Sequence, residues 1–226
     1  MTTFVLRLNR LFIHDNRENP HFLDPFNIFR TDLAEVKLYS FITTDNESNP
    51  DIDALLAEQD PAKRKELLKQ AILNVAANRV LTTIQNVTDD HLMTFGPRGY
   101  ALYQANAVPE MVHWAFVAME SDEDIREQGK ALMKLLEDDK LDGFLEAVLK
   151  LIGKAGNPAY AAAMEVAKFV AKAVGNCMLN NKDDQVGIYY TSHARAEDYP
   201  HGEFKINGVW DLSNNMQIDY SIMCFD

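Results

Sequence analysis

Histidines and clustered acids are the side chains in this sequence with the chemistry to catalyse or to hold a metal. His14, His21, His91, His113, His193 and His201 are scattered along the chain, without the short spacing that lets two imidazoles reach one metal from a single element. One stretch differs: His193 and His201 flank a loop that carries Glu197 and Asp198. A carboxylate beside an imidazole orients the ring and favours its charged form, which is what a general base requires. A hydrolase site built from His193, His201, Glu197 and Asp198 is one reading, and it needs a concave pocket that gathers those side chains. The plainer assignment makes His201 a turn residue, puts His193 on a strand face, and leaves His113 as a hydrogen-bonded core histidine inside an apolar strand. No G-x-S-x-G elbow, phosphate-binding glycine loop, dinucleotide fingerprint or H-E-x-x-H helix occurs. No motif requires a cofactor.

The acids allow a second chemistry. Asp122-Glu123-Asp124 and Asp183-Asp184 fall at predicted strand–helix junctions on either side of one helical stretch. If that stretch leaves and re-enters one end of a sandwich, Asp122, Asp124, Asp183 and Asp184 converge as hard oxygen ligands, the donor type that suits Ca²⁺. Such a layout resembles the calcium-binding end of C2-type sandwiches, an analogy of architecture with no shared motif. The alternative is local: Ser121 to Asp124 has capping-box spacing at an electropositive helix start, and Asp183-Asp184 is a solvated turn. Asp45 to Asp53 also spaces oxygen donors at alternate positions. Pro50 stands where an EF-hand needs glycine, however, and no glutamate closes the loop, so it is not an EF-hand.

These residues must be positioned by a chain of 226 residues, 47% of them hydrophobic, which suffices for a buried core and argues against disorder. The net charge of -12 repels nucleic acid and anionic membranes, and the longest basic run is Lys63-Arg64-Lys65. Nucleic-acid binding is therefore not expected. No run of 18 apolar residues predicts a transmembrane helix. The first residues alternate apolar and polar, unlike a signal peptide, so the expectation is cytoplasmic synthesis, with export by lysis or a dedicated machine left open. Cys177 and Cys224 are expected as reduced thiols.

Period-two alternation predicts strands over Phe4–His14, where Leu11 and Ile13 resume the phase of Phe4, Leu6 and Leu8 after a slip, and over Ala34–Thr43. Further strands are expected at 80–87, 92–95, 100–104, 186–193, 203–212 and 216–225, and Met111–Met119 reads as a central strand buried on both faces. Asp60-Pro61 starts a helix at about 61–78. Three more are predicted at about 122–137, 142–154 and 158–174, the last opened by Asn157-Pro158 and closed by Gly175.

The expected fold is α+β: an antiparallel β-sandwich whose first and last strands share a sheet, with one helix after strand two and a three-helix insertion before the C-terminal strands. It is read as one domain, 1–226, with sandwich strands in 1–121 and 183–226 and the helical insertion in 122–182. The amphipathic hairpin 142–174 either packs on the sheet or is released onto a membrane. Phe22, Phe26, Phe29 and Tyr199 fall in loops, where they mark a binding surface or cover the open end of the sandwich. The functional expectation is a non-enzymatic binding or assembly module whose sandwich-end loops engage a protein, carbohydrate or membrane partner, with Ca²⁺ as a candidate aid. The alternatives are a membrane-active, toxin-like effector using that hairpin, and the hydrolase above.

Overall fold

Strands form where alternation lets each bury one face, and the computed structural model describes residues 3–16, 33–46, 49–77, 80–120, 136, 140–179 and 185–225. Among them the strands are β1 (Thr3–Ile13), β2 (Ala34–Thr44), β3 (Val80–Val87), β4 (His91–Thr94), β5 (Tyr100–Ala105), β6 (Met111–Glu120), β7 (Gln185–Ala194), β8 (Gly202–Trp210) and β9 (Met216–Phe225). The helices are α1 (Pro50–Ala57), α2 (Pro61–Ala77), α3 (Lys140–Ile152), α4 (Pro158–Leu179) and the single turn α5 (Arg195–Asp198).

Two antiparallel sheets result. In the first, β4 and β5 both pair one edge of β1, and β9 and β8 follow on its other side; the second runs β3-β2-β6-β7. The first and last strands are therefore neighbours, as expected, paired from Thr3 opposite Phe225 to Ile13 opposite Met216. Their register shifts between Leu8 and Arg10. That bulge is the slip in the β1 pattern, and it keeps Phe4, Leu6, Leu8, Leu11 and Ile13 all in the core between the sheets.

The second sheet is buried on both faces. Val112, Trp114, Phe116 and Ala118 of β6 join the core between the sheets, while Ala115, Val117 and Met119 join a second core against the helices. β2 divides likewise, with Val36 and Leu38 on one side and Tyr39 and Phe41 on the other. α4 lies directly on β6, β2 and β7, and α1, α2 and α3 pack around it. Ala162, Val166 and Val170 of α4 are fully buried, and Phe144 of α3 stacks on Phe169 at 4.2 Å. The apolar stripe of the hairpin is thus turned onto the sheet and its neighbouring helices.

Two expectations change. Strand two is followed by two helices rather than one, because Asn49-Pro50 starts α1 in the same way that Asp60-Pro61 starts α2: the Asn49 side chain accepts the Ile52 amide. Arg195–Asp198, expected as loop, forms α5, which has no side-chain cap. The first helix of the insertion, about 122–137, lies outside the described residues apart from Leu136, which is helical and buried.

A polar knot ties the sheets together at one end. The Asp211 carboxylate accepts hydrogen bonds from the backbone amides of Ile188, Ser213, Asn215 and Met216 and from the Ser213 hydroxyl. Asn215 in turn donates to Val186 O and Asp15 O. Gly187 passes beside this knot, where a Cβ would stand 2.8 Å from Met216 Cε and 3.1 Å from Asp211 Oδ2.

Candidate functional site

The histidine loop comes together only in part. β7 ends at Ala194, and the α5 turn brings Asp198 back so that its Oδ2 accepts the Ala194 amide at 2.8 Å and lies 3.5 Å from His193 Nδ1. His193 Nε2 is 2.8 Å from the Tyr220 hydroxyl on β9, which is itself 3.2 Å from the Tyr189 hydroxyl on β7. Thr191 Oγ1 lies 3.2 Å from the same His193 nitrogen. With its proton on Nδ1, facing Asp198, the imidazole accepts from Tyr220 at Nε2.

Glu197 and His201 go elsewhere: Glu197 is exposed, and His201 is exposed with its ring edge-on to Phe225. Of the four residues proposed from sequence, the fold joins His193 and Asp198. It adds Tyr220, Tyr189 and Thr191, which sequence reasoning missed because they come from strand pairing across the sandwich. Burial lowers the His193 pKa against the opposing pull of Asp198, and burial raises the Tyr220 pKa above the ordinary phenol range. Burial thus favours the neutral form of both groups. Trp114 seals the cluster edge-on, with its ring centroid 5.1 Å from that of Tyr220 and 5.6 Å from that of Tyr189. The arrangement bridges β7 to β9 as a satisfied polar pin through an apolar core.

The acidic expectations resolve differently. Asp122, Asp124, Asp183 and Asp184 lie outside the described residues, as do Phe22, Phe26 and Phe29. Among the described residues no three His, Cys, Asp or Glu side chains group as metal ligands would. Three side chains of the 45–53 run have structural work: Asp45 accepts the Met111 amide, Asn49 caps α1, and Asp51 accepts from the Asn74 side chain. Tyr199 is buried, packing on Phe4 and donating to Pro109 O at 3.0 Å, so it covers the sandwich interior rather than presenting a surface. Among the described residues no helix is long and apolar enough to cross a membrane.

A concavity lies on the other side of the second sheet. A cavity of about 430 Å³ opens where the end of β2 passes beneath the helices. β2 supplies Phe41 and Ile42, then Thr43 and Thr44; α1 contributes its start, Asn49 to Asp51. Asn74 and Val75 come from α2, and Ala163 and Ala167 from α4. The two alanines stand one helical turn apart, and their short side chains leave the space open. Among the described residues Asp51 is the one ionisable side chain in the lining, and the Asn74 amide donates to its Oδ2. None of the five residues of the His193 cluster lines this groove.

Compared with known proteins, the chain matches no family model and no curated protein, so a functional reading rests on these side chains alone.

Proposed function

We propose that this chain is a non-enzymatic binding module that holds a small organic ligand in the groove between β2 and helices α1, α2 and α4. The observation that carries this is the groove itself. Its volume, about 430 Å³, falls in the range of roughly 300–1,000 Å³ usual for small-molecule sites. Its lining has the mixture such sites use, with an apolar floor of Phe41, Val75, Ala163 and Ala167 and polar groups at Thr43, Asn49, Asp51 and Asn74. Binding rather than catalysis is favoured by the ionisable groups: among the described residues Asp51 stands in the lining without a second acid or base, and proton-transfer chemistry needs one placed against the reacting atoms.

The test is ligand-observed NMR with a library of small fragments against the full chain and a Val75→Phe variant, which fills the groove from its half-buried wall. Fragments are expected to bind the parent and to lose binding in the variant, whose fold is checked by circular dichroism. A parent that binds none, or binding indifferent to Val75→Phe, overturns the proposal. A calcium-assisted form rests on Asp122, Asp124, Asp183 and Asp184. It predicts a melting midpoint raised by millimolar Ca²⁺ and not by Mg²⁺.

A further inference from the structure

Resting on the groove reading above, we infer that the ligand class is a small organic cation, with an ammonium group at Asp51 and a compact apolar body against Phe41, Val75 and the two alanines. The lining decides the sign of the charge. Among the described residues it contains a carboxylate and no lysine, arginine or histidine, so an anion entering it would lose hydration with no opposite charge to compensate. The positive end of α1 does not supply the missing charge. Asn49 Oδ1 accepts from the Ile52 amide, Pro50 has no amide proton, and Asp51 and Asp53 occupy the first turn. The chain as a whole carries -12, which draws cations towards any cleft lined by carboxylate.

The carboxylate is also prepared for the task. The Asn74 amide donates to Asp51 Oδ2, fixing the side chain while leaving lone pairs on both oxygens for a ligand. A hydroxyl donating to this carboxylate already makes a charge-assisted hydrogen bond, and an ammonium adds to it the attraction between opposite charges. An ammonium is therefore favoured over a hydroxyl on the same apolar body.

Calorimetric titration of the full chain with 2-phenylethylammonium, 2-phenylethanol and 3-phenylpropanoate separates the possibilities. The ammonium is expected to bind at least tenfold more tightly than the alcohol, and the carboxylate more weakly than either. Asp51→Asn, which keeps an acceptor for Asn74, should bring the ammonium down towards the affinity of the alcohol and weaken the alcohol much less. Raising salt from 0.05 to 0.5 M on the parent chain should weaken the ammonium and spare the alcohol, a readout independent of any variant. Equal affinities for ammonium and alcohol, or an Asp51→Asn variant that binds the ammonium as the parent does, overturn the cation assignment while leaving the groove reading intact. If none of the three probes binds, the cation assignment falls, and the groove reading is decided separately by the fragment screen.

Discussion

At the scale of single residues, the buried histidines set how the protein responds to acid. His113 sits 1% exposed on β6, where its Nδ1 is 2.9 Å from Ser192 Oγ of β7 and its Nε2 has no hydrogen-bond partner. Burial, with the Lys168 ammonium of α4 acting in the same direction, lowers its pKa to about 4. Above pH 6.5 the imidazole is neutral in both folded and unfolded chains and adds no pH dependence. As the pH falls from 6.5 towards 4, the unfolded chain takes up a proton that the folded one refuses, so stability falls, and below about 4 the effect levels off. At 1.36 kcal/mol per pH unit this amounts to about 3 kcal/mol, and His193, whose pKa is also lowered, adds in the same direction. Urea unfolding of the parent and a His113→Asn variant between pH 7 and 4 checks this. The variant should lose stability less steeply, and identical slopes would remove His113 as the cause. Sequence reading recognised His113 as a core residue from its apolar neighbours. It could not see Lys168, which reaches the ring only through the packing of α4 on the sheet.

Among the elements, two features with opposite legibility govern local stability. The start of α1 is written in Asn49-Pro50, and removing the cap with Asn49→Ala should cost about 1 kcal/mol in a urea melt. An unchanged midpoint would mean that packing of Ile52 and Leu55 alone holds α1. The start of β7 is the less legible case. Gly187 lies against the Asp211 knot, and a Cβ there would stand 2.9 Å from Met216 Cβ and 3.1 Å from a carboxylate oxygen that the surrounding amides hold in place. Gly187→Ala should therefore cost about 1–3 kcal/mol through forced repacking, whereas an exposed strand glycine would gain from the same change. A stabilised Gly187→Ala variant would show that the knot yields. Nothing local marks this glycine as special, because the atoms it makes room for are contributed by the β8–β9 turn.

Across the whole molecule, the second sheet is a wall common to two cores. β2 and β6 present one set of apolar side chains to the first sheet and the other to the helices, so loss of either core removes one covered face of the strands that the other core needs. Unfolding is expected as a single cooperative transition. The chain has two tryptophans, and replacing the half-exposed Trp210 by Phe leaves Trp114, fully buried between the sheets, as the fluorescent reporter. Its denaturation curve should coincide with the far-ultraviolet circular dichroism of the helices. Separated midpoints would show that the helical layer comes away first, and would return the hairpin to consideration as a releasable element.

By itself the sequence determined most of the elements and much of their arrangement. Alternation names the strands, Asp60-Pro61 and Asn157-Pro158 name the starts of α2 and α4, and the slip in β1 is visible as a bulge, because each depends on residues a few positions apart. The exceptions are α1, behind the same signal at Asn49-Pro50, and the single turn α5, both expected as loop. The doubly apolar β6 even announces a strand covered on both sides. Tertiary structure alone decided what those elements enclose. The His193–Tyr220 contact crosses from one sheet to the other, and the groove is assembled from four segments between Phe41 and Ala167. A cavity is a volume that side chains fail to fill, so it belongs to the packing of distant elements rather than to any local pattern, and no spacing along the chain records it.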